Sequence, residues 1–193
     1  MKLVTKLLLS SALAFSLANA TPHNLDKGHS DVGFSVKHLM ITNVKGNFKD
    51  YDAKIDFDYE SKTFKSLEAK IQATSIDTGI VKRDNHLRSD DFFAAEKFPD
   101  ITFKMKTYIK KSDGGVMVGD LTMRGVTKEV ELEVEDLGVI KDFDGNNRVG
   151  FTLNGKVNRV DYGLKWNKAL EFGGVAVSET VKLSAEIQAI EKK

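Results

Sequence analysis

Apolar and charged residues alternate along most of the chain after residue 20, and this period of two constrains the fold more than any other feature. In the segment 51–58 the odd positions are Tyr, Ala, Ile and Phe, whereas the even positions are Asp, Lys, Asp and Asp. Neighbouring side chains of a strand point to opposite faces, so the pattern predicts about eight antiparallel strands with one apolar face each. The alternation recurs in segments 32–36, 67–73, 101–105, 116–118, 130–134, 149–157 and 181–189.

A sheet with one apolar face must hide that face, either by stacking on a second sheet or by closing into a barrel. The apolar phase slips by one residue between Phe48 and Tyr51. This slip predicts a bulge that bends a long strand, as closure requires. We therefore predict an all-β fold, an antiparallel eight-stranded barrel, with a two-sheet sandwich as the alternative.

Several inward positions of the predicted strands carry small residues. They leave room for one small ligand inside a barrel of this strand number, although small residues also serve tight packing of strands. The sequence therefore leaves a cavity and a solid core equally open. The small residues are Ala53, Ala69, Ala73, Gly155, Ala185 and Ala189.

The segment 76–99 departs from the alternation. Asp77 or Thr78 is suited to cap a short helix that extends to about Leu87. A second helical piece follows near residue 90 and ends before Pro99. We thus expect a short helical insert at about residues 78–97.

The first twenty residues have the features of a secretory signal peptide. Lys2 and Lys6 precede an apolar run, and Ala18-Asn19-Ala20 supplies a small-x-small cleavage site. The apolar run is shorter than the roughly twenty residues of a membrane-spanning helix. We predict export with cleavage after Ala20 and a single domain at residues 21–193. An uncleaved N-terminal anchor is the alternative.

Composition excludes several classes of function. The chain has no cysteine, which rules out a thiol nucleophile, a cysteine zinc site and a lipid-modified cysteine. Its formal net charge is +1, and the two signs are interspersed, so no basic stripe indicates nucleic acid.

Catalytic and metal-binding patterns are weak. Asp84, His86 and Asp90 are a conceivable metal set, but their spacing matches no specific zinc signature, and hydrogen-bonding histidines are the alternative. The Gly-x-Ser-x-Gly motif of a nucleophile elbow does not occur. We expect no catalysis, no metal and no cofactor.

Five stretches, taken in chain order and with compatible spacing, resemble the YceI-like family of periplasmic proteins, and the similarity extends over essentially the whole of residues 21–193. They are His29-Ser-x-Val-x-Phe-x-Val-x-His38-Leu with Val44-x-Gly-x-Phe48, Ile76-Asp-Thr-Gly with Arg83-Asp-x-His-Leu-x-Ser-x-Asp-Phe-Phe93, Phe98-Pro-x-Ile-Thr-Phe103, Gly119-Asp-Leu-Thr-Met-Arg-Gly-Val-Thr-Lys128 and Arg159-x-Asp-Tyr-Gly163.

The resemblance implies a lipocalin-like barrel that binds a polyisoprenoid, an isoprenoid quinone precursor or a similar long-chain amphiphile in its interior, without enzymatic activity. The function that the resemblance implies is a lipid carrier in the periplasm of a Gram-negative bacterium. Two alternatives stay open: an enzyme acting on a small hydrophobic substrate in the same cavity, and a stress or surface-interaction protein without a ligand. The sequence also leaves open transient membrane contact and a homodimer.

Alternation selects candidate channel-lining residues, and the polar groups near the insert and the rim are candidates for contact with a lipid head group. For the insert, a solvated helix face is the alternative to a lid. The lining candidates are Phe34, Val36, Ile55, Phe57, Leu67, Ile71, Phe103, Met105, Leu121, Met123, Phe151, Leu153, Leu183 and Ile187. The head-group candidates are His38, Arg83, His86 and Trp166.

Overall fold

The structure is a computed structural model, and it describes residues 21–171 and 173–192. The predicted signal peptide, residues 1–20, lies outside the described residues. Antiparallel strands dominate the described part. The strands are β1 (Thr21–Leu25), β2 (Asp31–His38), β3 (Thr42–Phe48), β4 (Tyr51–Asp58), β5 (Thr63–Gln72), β6 (Ile76–Asp77), β7 (Asp100–Lys111), β8 (Gly114–Met123), β9 (Val126–Lys141), β10 (Asn147–Asn158) and β11 (Val177–Glu191).

These strands form one antiparallel sheet that closes on itself. Around the ring, β1 pairs with β4, and the order continues through β5, β7, β8, β9, β10 and β11 back to β1. A short ladder makes the closure, with His23 opposite Glu191 and Leu25 opposite Ala189. The predicted eight-stranded antiparallel barrel is confirmed, and the sandwich alternative is wrong.

The remaining strands continue barrel strands past a local break. β2 follows β1 after a 3₁₀ turn at Lys27–His29, and both strands pair with β11. β3 bends into β4 between Phe48 and Tyr51, where the phase slip predicts a bend. β6 follows β5 after the turn Ala73–Ser75 and pairs with β3. These breaks explain why about eight alternating segments yield an 11-stranded sheet.

Tight turns join neighbouring strands. Ser112 and Asp113 connect β7 to β8, and residues 142–146 connect β9 to β10. Arg124 and Gly125 connect β8 to β9 with φ angles of 49° and 73°. Such left-handed angles match the right-handed twist of the flanking strands in a two-residue hairpin turn, and glycine adopts them without steric cost.

The insert between β6 and β7 contains the α-helix α1 (Val81–Arg88), but the predicted cap residues are wrong. α1 begins after Ile80, which makes no side-chain capping bond. The Asp77 carboxylate instead accepts a backbone amide two residues further on, at 2.8 Å. Thr78 donates its amide and its hydroxyl to Asp84, at 2.9 and 2.5 Å. Both predicted caps therefore stabilise the turn that precedes the helix.

The predicted second helical piece is also wrong, because residues 89–98 form successive turns. Ala94 has a φ of 48°, which no right-handed helix accommodates. Phe92 is nevertheless buried and Phe93 half-buried. Among the described residues, no helix is long and apolar enough to cross a membrane.

Candidate functional site

The barrel interior holds an apolar cavity of about 200 Å³. Inward-facing side chains of the strands form its wall, together with residues of the insert and of the loop after β10. Apart from Tyr51, Asp52, Arg159 and Ser184, the lining consists of apolar side chains and glycine. These are Leu25, Val32, Gly33, Phe34, Val36, Phe48, Ala53, Ile55, Leu67, Ala69, Ile71, Leu87, Phe92, Phe93, Ile101, Phe103, Leu121, Met123, Val130, Leu132, Leu153, Val157, Leu164, Val177, Val181, Leu183, Ala185 and Ile187.

Small side chains keep the cavity open along its length. Ala53 of β4 lies opposite Ala69 of β5, and Ala185 lies on the wall formed by β11. The lining residues of β11 from Val181 to Ile187 cover about 20 Å of strand at roughly 3.4 Å per residue. The cavity is therefore long and narrow, which suits an extended chain.

Aromatic rings fill the end of the barrel next to the β7–β8 and β9–β10 turns. Phe64 lies at the centre of the group. Its ring centroid is 5.0 Å from that of Phe57, 5.1 Å from that of Tyr108 and 4.7 Å from that of Phe151, each in an edge-to-face arrangement. We call His23, Phe57, Tyr59, Phe64, Tyr108 and Phe151 the aromatic cluster. None of them lines the cavity, so the cluster closes this end.

His23 and Tyr59 form a buried polar pair in the aromatic cluster. The His23 Nε2 and the Tyr59 hydroxyl are 2.6 Å apart, and His23 is only 1% exposed. Burial lowers the pKa of the His23 imidazole, so the ring is neutral at pH 7. Burial and then the charge of Glu191 raise the pKa of Tyr59 to about 12. The pair is therefore a neutral hydrogen bond.

The insert covers the opposite end of the cavity with apolar side chains. Leu87, Phe92 and Phe93 line the cavity there. Trp166, in the loop after β10, packs on Phe92 with 5.4 Å between ring centroids. The His86 ring lies edge-on to both of these rings, at 5.0 Å. An aromatic group thus lies over this end of the cavity.

Arg124 holds the insert to the loop after β10. Its guanidinium donates to the backbone carbonyls of Phe92 and Asp90, each at 2.8 Å, and of Gly163 at 2.6 Å. Three carbonyls from two separate segments therefore share one side chain. This arrangement fixes the position of Phe92 over the cavity.

Arg159 places a charge at the insert end of the cavity wall. The residue lines the cavity and is only 3% exposed. Its Nε donates to the carbonyl of Ser178 at 2.9 Å, its Nη2 to that of Val177 at 3.2 Å, and its Nη1 to that of Leu164. The guanidinium carbon lies 6.0 Å from the centroid of the Phe92 ring. Burial lowers the pKa of Arg159, although a guanidinium stays protonated in proteins.

The structure brings most of the predicted lining residues together on the cavity wall. Phe57 and Phe151 are exceptions, because their rings pack in the aromatic cluster beyond the cavity. Met105 is a third exception. It is half-buried against the core at a register shift between β7 and β8 and does not reach the wall. On the wall are Phe34, Val36, Ile55, Leu67, Ile71, Phe103, Leu121, Met123, Leu153, Leu183 and Ile187, whose contact with a ligand stays a prediction.

The four predicted head-group residues, His38, Arg83, His86 and Trp166, do not line the cavity. Arg83 donates to the hydroxyl of Thr78 at 2.7 Å and to its carbonyl at 2.8 Å. His86 hydrogen-bonds to Asp91 at 2.8 Å, and His38 ends β2 opposite Thr42. Arg83 and His86 thus bond to other residues of the insert, whereas its apolar residues Leu87, Phe92 and Phe93 line the cavity.

Arg159 is a residue of the cavity wall that was not predicted from the sequence. The inward positions of β10 are Val149, Phe151, Leu153, Gly155 and Val157, and Arg159 is the next position in that period of two. The same rule identifies Val32 and Val181, which also lie on the wall and were not among the lining candidates. Ala53, Ala69 and Ala185, predicted as small inward residues, lie on the wall as well.

The candidate metal set is not assembled. Asp84, His86 and Asp90 each bond to a different residue of the same region. No group of three or more His, Asp or Glu side chains in the described part of the chain is arranged to hold a metal ion.

Sequence comparison assigns the family. The profile of the YceI-like domain matches residues 23–189. The chain belongs to the YceI-like family. A UPF0312 protein of Staphylococcus epidermidis is 42% identical over 169 residues, which cover 87% of this chain and 96% of that protein. Family membership confirms the resemblance carried by the five sequence stretches.

Solved structures have the same architecture. The crystal structure of the Campylobacter jejuni YCEI protein is 47% identical to this chain, with a TM-score of 0.73, over 88% of this chain and 97% of that one. A polyisoprenoid binding domain from Saccharophagus degradans matches with a TM-score of 0.60 at 15% identity, over 90% of this chain and 100% of that domain. The second likeness supports the fold.

Proposed function

We propose that the chain binds one apolar lipid, a polyisoprenoid or a similar long-chain amphiphile, inside the barrel and carries it through the periplasm. The observation that carries the proposal is the long apolar cavity, which the aromatic cluster closes at one end and the insert covers at the other. Removing an apolar chain from water is worth roughly 0.8 kcal/mol per methylene, so such a lipid needs an enclosed apolar carrier to cross an aqueous space.

The size of the cavity indicates how a lipid would bind. Its volume of about 200 Å³ lies below the roughly 300–1,000 Å³ of ordinary small-molecule pockets. A long chain would therefore have to widen the cavity. We expect widening at the insert end, because a short helix and successive turns cover it, whereas aromatic rings in mutual contact fill the other end between the strands.

The alternatives from the sequence have less support. An enzyme acting in this cavity needs an acid or a histidine with a shifted pKa on the wall. His23 is buried with a lowered pKa, but it lies in the aromatic cluster, off the wall. A protein that works only through its surface has no use for an internal cavity. Binding is the function that this geometry supports best.

The test begins with native mass spectrometry of protein purified from its own periplasm without detergent. Extraction with solvent and mass analysis of the lipids then identify any bound species. We expect one prenyl or acyl species at one molecule per chain. A clean apo mass that persists when farnesol is added, with unchanged fluorescence of Trp166, the single tryptophan, would refute the proposal.

Two variants on one strand separate the cavity from the outer surface. Ala185→Phe fills the cavity at its wall, whereas Glu186→Phe places the same ring on the outer face. Bound lipid should fall severalfold in the first variant and stay at the wild-type level in the second. Equal retention in both variants would place the lipid elsewhere.

Export completes the proposal. Cleavage after Ala20 would retain every described residue of β1, including Thr21, which pairs with Phe57. Intact-mass measurement of the periplasmic fraction should give the mass of residues 21–193. A mass that includes residues 1–20 would favour the uncleaved anchor. Transfer of the lipid to and from membranes would require transient membrane contact.

A further inference from the structure

Arg159 carries a buried positive charge that no acidic side chain neutralises. All Asp and Glu residues of the chain lie in the described part, and none of them forms a salt bridge with Arg159. Glu179 acts on the guanidinium only at longer range and is itself exposed. An unpaired charge at 3% exposure is costly to bury, so its retention on an apolar wall points to a role beyond packing.

The guanidinium also has unused hydrogen-bonding capacity. Arginine has five N–H donors, and Arg159 uses one on Nε, one on Nη1 and one on Nη2. One N–H on each terminal nitrogen has no acceptor among the described residues. A guanidinium with a free N–H on each terminal nitrogen has the donors to pair with two oxygens of a phosphate or carboxylate.

Arg159 lies where it could contact the polar end of an amphiphile bound in the cavity. It lies at the insert end, beside Phe92, while the opposite end of the cavity is closed by apolar rings. A lipid whose chain extends along β11 towards the aromatic cluster would leave its head group next to Arg159.

We propose that Arg159 binds the anionic head group, a phosphate or a carboxylate, of the lipid held in the barrel. This inference rests on the proposed lipid-binding function and adds a head-group class to it. The anionic head group would then neutralise the positive charge of Arg159. A neutral alcohol of the same chain would leave that charge unpaired.

A structural role is the competing explanation, because Arg159 also holds the loop after β10 through three carbonyls. Arg124 provides a matched control. It likewise donates to three backbone carbonyls, but it does not line the cavity. Loss of a loop contact weakens binding of charged and neutral lipids alike, whereas loss of a head-group contact weakens binding of the charged lipid alone.

The experiment uses delipidated protein and two probes with the same chain, farnesyl phosphate and farnesol. Affinities are measured by the fluorescence of Trp166, which packs on Phe92, and checked by native mass spectrometry. In the wild type, farnesyl phosphate should bind roughly tenfold to a hundredfold more tightly than farnesol, as expected for one charged hydrogen-bonding partner. Arg159→Gln should abolish this ratio, because it weakens binding of farnesyl phosphate far more than any lost loop contact weakens binding of farnesol. Arg124→Gln should retain the ratio.

Each outcome is decisive. Equal wild-type affinities for the two probes would overturn the assignment of Arg159 to the head group, and so would an unchanged affinity ratio in Arg159→Gln. In either case, binding of farnesol would still support the lipid-binding function. If neither probe binds, both the role of Arg159 and the lipid-binding function are refuted. If Arg159→Gln fails to fold, Arg159→Lys replaces it, and a ratio reduced severalfold is expected because lysine lacks the planar pair of donors. Inorganic phosphate that competes as well as farnesyl phosphate would indicate a simple anion site and would also overturn the inference.

Discussion

Two alanines on the inward face of β11 should respond in opposite ways to the same enlargement. Ala185 lines the cavity, whereas Ala189 is fully buried and is paired with Val149 and Leu25. The two positions are four residues apart on one strand, so their side chains point to the same face. The comparison therefore isolates the presence of empty space.

Ala185→Leu adds three carbon atoms inside the cavity. At about 0.8 kcal/mol per buried carbon the gain is about 2.4 kcal/mol, from which the loss of leucine rotamer freedom subtracts about 0.5–1 kcal/mol. We expect the variant to be about 1.5–2 kcal/mol more stable than the wild type. Ala189→Leu has no space to enter, and overpacking should destabilise it by about 1–3 kcal/mol.

The assay is urea and thermal unfolding of delipidated protein, followed by circular dichroism. A domain of this size shifts its Tm by roughly 2–4 °C per kcal/mol, so Ala185→Leu should raise the Tm by at least about 3 °C. Ala189→Leu should lower it by at least about 2 °C. Equal destabilisation by both substitutions would refute the reasoning, because it would mean that the wall at Ala185 is already filled.

Three further outcomes follow from the packing and the charges. Tyr59→Phe should destabilise the protein by about 1–3 kcal/mol in urea unfolding, because it leaves the buried His23 Nε2 without its partner. Phe64→Ala should cost about 3–5 kcal/mol by the same assay, because it removes the central ring of the aromatic cluster. Arg148 donates to Asp142 at 2.7 Å and is the main cause that lowers the pKa of that carboxyl from 3.8 to about 2. Because the pKa of Asp142 is lower in the folded state than in the unfolded state, its charged form stabilises the protein above the unfolded-state pKa. Thermal unfolding should therefore show a stability contribution that is lost as the pH falls from about 4 to about 2. This contribution should be smaller in Arg148→Met.

Strand positions and inward faces were predictable from the sequence. Ile55, Leu67 and Leu153 lie on the cavity wall because alternation of side chains is a property of a single extended backbone. The Arg124-Gly125 turn and the bend after Phe48 are likewise local, because turn conformation and strand phase depend on neighbouring residues.

The helix caps were not predictable from the sequence in the same way. Thr78 is of a type that caps helices, but its hydroxyl donates to Asp84 and anchors a turn instead. Several conformations of such a segment satisfy its local hydrogen bonds equally well. The contacts that select one of them come from the barrel strands and the loop after β10, including the bonds of Arg124 to the turns of the insert.

The sequence by itself thus determined which segments are strands, which faces are apolar, and that one segment departs from the pattern. Tertiary structure alone decided which inward residues border empty space. Phe57 and Ile55 share an inward face, yet Phe57 packs in the aromatic cluster and Ile55 lines the cavity. Tertiary structure also decided that Arg159 donates to three backbone carbonyls and lines the cavity, and that it forms no salt bridge with an acidic side chain of the described residues. Closure of the barrel sets these outcomes, because the space around each side chain is enclosed by strands that are distant in sequence.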